Sequence, residues 1–293
     1  MTIQTKPTTI RGEKIFFNFI EVPFEKLSES VELIKELKEG RIHGFVLKNL
    51  FSKEEIGNIL KAIEKPLEEN AMVTPYGKMY PAPFAIITNN AERLDAYYDS
   101  IESLHSVMEN EPNLNLIRER IEHFFKTVGS SFKVSVPINK TKKLPVSEGS
   151  FRTFIKDKGA LFVHCGNLFQ QQSQFYYSQL ENDIDMADQL SFFFNLQNTE
   201  IGGELTIYNM LWKDVVGKSC PEENECVIDK DGNTIFLKDV EQFTVKPEPG
   251  DILVFAGGPI WHRVEDIKGN TPRITYGGFV NFSNDGKELF YWS

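Results

Sequence analysis

The 293-residue sequence has only three cysteines, Cys165, Cys220 and Cys226. So small and odd a number in a chain of this length does not make a disulfide framework. No apolar run approaches the roughly 20 residues of a membrane span, and the polar start "MTIQTKPTTIRGEK" lacks the apolar segment of a secretory signal. Positive charge is short as well. Against 32 Lys and Arg stand 42 Asp and Glu, a net charge of -10, which argues against a nucleic-acid backbone or an anionic membrane as partner. Internal repeats and low-complexity tracts are absent. These absences lead to the expectation of a soluble, cytoplasmic protein. Phenylalanine, in contrast, is abundant: 24 residues beside 9 Tyr and 3 Trp, suited to a core and also to an apolar pocket.

The organisation expected is one domain, with a helix-rich part at 1–149 packing on a β-rich core at 150–293. In the first part, "EVPFEKLSESVELIKELKEG" (21–40) places Leu27, Val31, Ile34 and Leu37 at spacings of three and four and ends on Gly40, the pattern of an amphipathic helix. A strand follows at 42–51. "SKEEIGNILKAIEK" (52–65) opens with Ser52 and Glu55 as a capping box. A further helix is expected over 113–132, with Leu116, Ile117, Ile121, Phe124 and Phe125 on one face; His123 lies on it without a metal-spaced partner and is assigned no role.

Beyond residue 150 short β-rich runs recur, among them "FRTFI", "LFVHCG", "LSFFFNLQ", "GELTIYNM", "DILVFAGG", "IWHRVEDI" and "RITYGGFVNF", separated by Gly, Pro, Asn and Asp. Seven or eight such strands in this space suggest a β-sandwich or jelly roll. Residues 212–243 interrupt the series as a long polar insertion that could cover a site mouth. Cys220 and Cys226 lie within it, with no His nearby to make a zinc site.

Three stretches carry chemistry. In "VHCGN" a strand over 162–166 would put His164 and position 166 on one face, one pleat apart. A carboxylate at 166 could then share a metal with His164, but the residue there is Gly166. In "PEPGDILVFAGGPIWHRV" a turn, a strand and a Gly-Gly break lead to His262, a second imidazole suited to iron. In "GNTPRIT" a turn precedes Arg273 and Thr275, which share a strand face. If 260–267 and 273–282 form a hairpin, Arg273 lies roughly 7–13 Å from His262. That distance suits a five-carbon diacid chelating iron at one end and held by a guanidinium at the other.

These residues resemble the iron(II)/2-oxoglutarate-dependent oxygenases, and within them the carrier-independent halogenases of hapalindole- and welwitindolinone-type alkaloids. "DQLSFFF", "GGELTIYN", "GNTPRITYGGFVNFS" and the terminal "YWS" extend the likeness over most of 150–293 and, more faintly, into the first half at "GFVLKNLFSKEEI". The resemblance implies a mainly β fold with flanking helices around a double-stranded β-helix (jelly-roll, cupin-like) core. It implies iron(II) on His164 and His262, 2-oxoglutarate on Arg273 and Thr275, O2 as oxidant, and chloride or bromide in the place Gly166 leaves open. It also gives Ser191 and Arg152 counterparts that act beside the metal. The activity implied is radical replacement of an aliphatic C–H by C–Cl or C–Br on a free small molecule, with succinate and carbon dioxide formed from 2-oxoglutarate.

Relatives line their substrate pocket with the stretch that is "YGKMYPAPFAIIT" here (76–88), and its residues are this chain's own. Phe84, Phe154 and Phe169 are the expected walls for an apolar substrate. Two other readings stand beside the halogenase. One is a hydroxylase or desaturase of the same fold with water at the open position or a carboxylate such as Glu204 brought from elsewhere. The other is a non-catalytic cupin-like binding protein, which would need no co-substrate clamp such as Arg273.

Overall fold

The computed structural model describes residues 2–4, 8–10, 13–15, 17–74, 77–84, 92–156, 161–172, 177–181, 183–220 and 225–293. In chain order the elements that position the site are β1 (Asn18–Pro23), α1 (Leu33–Lys38), β2 (Gly44–Lys48), α2 (Lys53–Asn70), β3 (Gly77–Tyr80), α3 (Glu92–Asn110) and α4 (Pro112–Val128). Then come β4 (Ser150–Phe154), β5 (Leu161–His164), α5 (Gly166–Gln172), β6 (Ile184–Gln197), β7 (Leu205–Leu211), β8 (Gly217–Ser219), β9 (Cys226–Asp229) and β10 (Thr234–Phe236). The chain closes with β11 (Gln242–Val245), β12 (Ile252–Phe255), β13 (Ile260–Val264), β14 (Arg273–Ser283) and β15 (Glu288–Trp292).

Two sheets build the core. The larger runs β1-β2-β12-β6-β14-β4-β3, with β15 also paired to β14; the smaller runs β5-β13-β7-β11. This is the expected double-stranded β-helix with flanking helices. Strand alternation explains how the large sheet faces two ways. Along β6, Leu190, Phe192, Phe194 and Leu196 are buried in the main core, whereas Gln189, Ser191 and Phe193 line a cavity between the sheets.

The outward face of that sheet is covered by α2 and α4. Phe125 of α4 meets Phe192 edge-on at 5.0 Å and stacks on Tyr291 at 5.0 Å, while Phe51 meets Phe194 at 5.1 Å. The capping box on α2 forms as expected: Glu55 N donates to Ser52 Oγ at 3.2 Å, and Ser52 N donates to Glu55 Oε2 at 2.7 Å. Arg120 ties α4 to the same carboxylate, with Nη1 3.0 Å from Glu55 Oε2.

Several expectations change. Residues 21–40 do not form one helix: β1 ends at Pro23, a 3-10 turn spans Phe24–Glu29, and only Leu33–Lys38 are α-helical. Leu27, Ile34 and Leu37 are buried as the spacing requires, but Val31 is exposed, because the pairing of β1 with β2 takes the start of the segment. The expected hairpin of 260–267 with 273–282 is absent. β13 pairs with β5 and β7, and β14 pairs with β6, β4 and β15, so the two strands belong to different sheets.

The described residues of the 212–243 insertion pack away from the cavity between the sheets. Its described strands β8, β9 and β10 make a small sheet of their own. Val215, Val227 and Leu237 pack with Val163, Tyr208 and Trp261 on the outer face of the smaller sheet. None of its described residues lines the cavity between the sheets. Cys220 and Cys226 form a disulfide with Cα atoms 5.4 Å apart, although the cysteine count alone gave no reason to pair them. Among the described residues no helix is long and apolar enough to cross a membrane.

Phe125, fully buried between α4 and the large sheet, is the test of this packing. Phe125→Ala is expected to cost about 3–5 kcal/mol in urea unfolding; a loss under about 1 kcal/mol would contradict the packing described.

Candidate active site

His164 and His262 are Cα partners on the adjacent antiparallel strands β5 and β13. Their rings lie 4.3 Å apart between centroids, and both residues are buried. Each Nδ1 contacts the backbone oxygen two residues earlier, Phe162 O at 2.7 Å for His164 and Ile260 O at 2.8 Å for His262. A carbonyl can only accept, so each Nδ1 carries the proton and Nε2 keeps its lone pair. This is the tautomer that a metal ligand needs, fixed by an outer hydrogen bond. Burial, and then the neighbouring His262, hold His164 well below the ordinary imidazole range; burial pushes His262 down to about 4. Both are therefore neutral at physiological pH.

The pair opens on a cavity of about 120 Å³. Arg273 and Thr275 enter it from β14 and Arg152 and Phe154 from β4, with register pairs Arg273 to Phe154 and Thr275 to Arg152. Arg273 is 5% exposed and Thr275 2% exposed. The guanidinium of Arg273 lies 4.9 Å from the Phe193 ring and 5.6 Å from the Phe154 ring. These contacts flank the group without satisfying its hydrogen-bond donors. Arg152 lies over Phe279 at 5.8 Å, and its Nε is buried without a hydrogen-bond partner. Burial, reinforced at Arg273 by the charge of Arg152, pushes both guanidinium groups down to about 10, so both stay charged.

No Asp or Glu is among the described residues of the wall. Glu204, the carboxylate considered as a substitute, does not line the cavity and accepts from Lys246 Nζ at 3.0 Å. Gly166 does line it, but as the first residue of α5 and not as the end of a strand. The turn is set by Gly166 N donating to Gly257 O at 2.8 Å and Asn167 N donating to Gly258 O at 3.0 Å. Cys165, between ligand strand and helix, faces the opposite cluster, where burial pushes its thiol up to about 12.

Of the expected walls, Phe154 and Phe169 line the cavity, and Phe169 lies 5.0 Å from the His164 ring. Phe84 does not. Its ring packs 5.3 Å from Tyr97 and 6.4 Å from Trp292, inside a second apolar cluster one aromatic layer behind Phe279. Residues 76 and 85–88 of the same expected wall lie outside the described residues. Wall residues not singled out from the sequence include Gln189, Phe193 and Phe279. Gln189 and Phe193 could have been found from Ser191, since i-2 and i+2 share its strand face.

These donors fit iron(II) with 2-oxoglutarate. Two neutral imidazoles suit the metal, and buried guanidinium groups without a carboxylate suit a dianion. The fold agrees. The chain is similar to the N-substituted L-amino acid dioxygenase from Burkholderia ambifaria AMMD, at 11% identity and TM-score 0.54, with 99% of this chain and 98% of that chain covered. The alpha-KG complex of the N-substituted L-amino acid dioxygenase from Burkholderia ambifaria AMMD gives TM-score 0.50 at 11% identity, covering 99% of each chain. At that identity the likeness is one of fold. No curated protein sequence matches the chain significantly. The class is that of the iron(II)/2-oxoglutarate-dependent oxidoreductases. Within it, residues 16–293 match the family described as "Carrier-protein-independent halogenase WelO5", and the chain belongs to that family. Its cofactors are accordingly iron(II), 2-oxoglutarate, O2 and a halide.

The burial of His262 sets a pH test on the metal-free protein. Its folded pKa of about 4 lies below the ordinary value of about 6.5. The stability it contributes is thus full above about pH 6.5 and is lost as pH falls toward 4. The loss is about 3 kcal/mol. His262→Gln is expected to flatten this part of the urea-unfolding profile between pH 7 and 4; an identical slope in the variant would contradict the assignment.

Proposed function

We propose that the protein is a halogenase that replaces an aliphatic C–H of a free, apolar small molecule with C–Cl or C–Br. The observation that carries this reading is the wall beside the two histidines, where Gly166 stands and no carboxylate is found among the described residues. A hydroxylase of this fold would keep a third protein ligand; a halide needs the space.

His164 and His262 would hold iron(II) through Nε2, each imidazole kept in orientation by its Nδ1 hydrogen bond. Bound there with 2-oxoglutarate and O2, the metal supplies the oxidant that removes a hydrogen atom from carbon, with succinate and carbon dioxide as by-products. Arg273 would pair with the distal carboxylate of 2-oxoglutarate, and the Thr275 hydroxyl would donate to it. Phe154 and Phe193 flank the guanidinium, so little rotamer freedom remains to be lost on binding. Phe169, Phe255 and Phe279 keep the cavity apolar away from these donors and exclude water.

Ser191 and Arg152 face the same space. The serine hydroxyl and the Arg152 Nε would each donate a hydrogen bond to groups held beside the histidines, and would so orient what binds there. Family membership among carrier-protein-independent halogenases supports a free rather than a carrier-bound substrate.

The test is an anaerobic titration with iron(II), 2-oxoglutarate and then chloride, following the visible charge-transfer band. The wild type is expected to form the band and to shift it with chloride. Gly166→Asp, whose added Cβ starts 2.8 Å from Gln189 Nε2, is expected to lose the chloride shift. A wild-type band that ignores chloride would favour a hydroxylase with water in that position.

A further inference from the structure

Gln189 sits on β6 two residues before Ser191, so both side chains point into the cavity. It is 2% exposed. Its backbone is fixed against the Gly-Gly bend before β13: Gly258 N donates to Gln189 O at 2.6 Å, and a Cβ on Gly258 would fall 2.5 Å from Gln189 N. The side chain is fixed as well, because Tyr177 Oη donates to Gln189 Oε1 at 3.2 Å. Tyr177 is itself held edge-on to Trp292 at 5.7 Å. With Oε1 engaged, the amide presents Nε2, a two-proton donor.

The place of that donor is given by Gly166. A Cβ built on Gly166 would lie 2.8 Å from Gln189 Nε2 and 3.0 Å from its Cγ. The amide therefore flanks the space into which a carboxylate at position 166 would project. A carboxylate there would crowd it, whereas an anion held only by the metal would meet an N–H donor already in place.

We infer that Gln189 is a positioning residue for the halide, its Nε2 donating to the anion that occupies the place left open by Gly166. The inference rests on the halogenase reading and adds the group in the protein that holds the halide. A charge-assisted N–H bond, preorganised by Tyr177, would raise halide affinity and hold the halide beside Gly166. Glycine at 166 and glutamine at 189 then form one device, one making the space and the other lining it with a donor.

The test uses the full chain, loaded anaerobically with iron(II) and 2-oxoglutarate and titrated with sodium chloride. Gln189→Met keeps the side-chain length and removes the donor. It is expected to form the charge-transfer band with unchanged 2-oxoglutarate dependence while the chloride midpoint rises about tenfold or more, the loss of one hydrogen bond to a charged acceptor. Tyr177→Phe, which keeps the amide and removes its tether, is expected to raise the midpoint roughly two- to tenfold and serves if Gln189→Met does not fold. Chloride midpoints equal to wild type in both variants would overturn the role of Gln189 and leave the halogenase reading intact. A wild-type band without any chloride response would overturn that reading, and this inference with it.

Discussion

Arg273, buried, and Arg152, partly buried, face one cavity with no carboxylate among its described wall residues. Burying a cation costs free energy unless it is paired, and aromatic faces offset only part of that cost. The protein alone therefore carries an electrostatic debt that an anion can relieve. The same cavity keeps both of its histidines neutral, since burial disfavours a charged imidazole there and, at His164, so does the ring of His262 4.3 Å away. Neutral nitrogen donors beside fixed positive charge make a site for a metal and the anions that accompany it. Occupancy of such a site stabilises the folded chain as well as enabling its chemistry.

The scaffold meets this demand by dividing the work between its sheets. The smaller sheet carries both histidines on adjacent strands, where register alone brings them together. The larger sheet carries the guanidinium groups on β14 and β4 and the polar pair Gln189 and Ser191 on β6. Its other face is occupied by the rings that meet α2 and α4, so the cavity lining cannot shift without disturbing the main core. Rigid strands, rather than loops, thus place each of these groups.

Much of this was legible in the sequence because strand residues announce their faces. His164, His262, Arg273 and Thr275 all reach one cavity, as their places in short β runs suggested, and so do Ser191 and Arg152, to which the family resemblance pointed. What was not legible is the sheet to which each strand belongs. A Gly-Asn turn between two β runs looks like a hairpin, yet β13 and β14 diverge into facing sheets; sequence proximity carries no record of the partner strand. Gly166 shows a related limit. The vacancy was readable, but the helix that starts there depends on hydrogen bonds to Gly257 and Gly258, some ninety residues on. Phe84 lies in the layer behind the cavity, and a large apolar side chain reads alike in that layer and in a wall. Gln189 was overlooked beside Ser191 because an amide in a strand announces no role until its neighbours are placed.

The claim that organises the rest is that an anion takes the place of a carboxylate beside His164 and His262. Anomalous diffraction from crystals grown anaerobically with iron(II), 2-oxoglutarate and bromide tests it most directly. The account predicts a bromide peak bound to the metal on the Gly166 side, within reach of Gln189. A fully formed iron and 2-oxoglutarate complex with water at that position, and bromide elsewhere or absent, would contradict it.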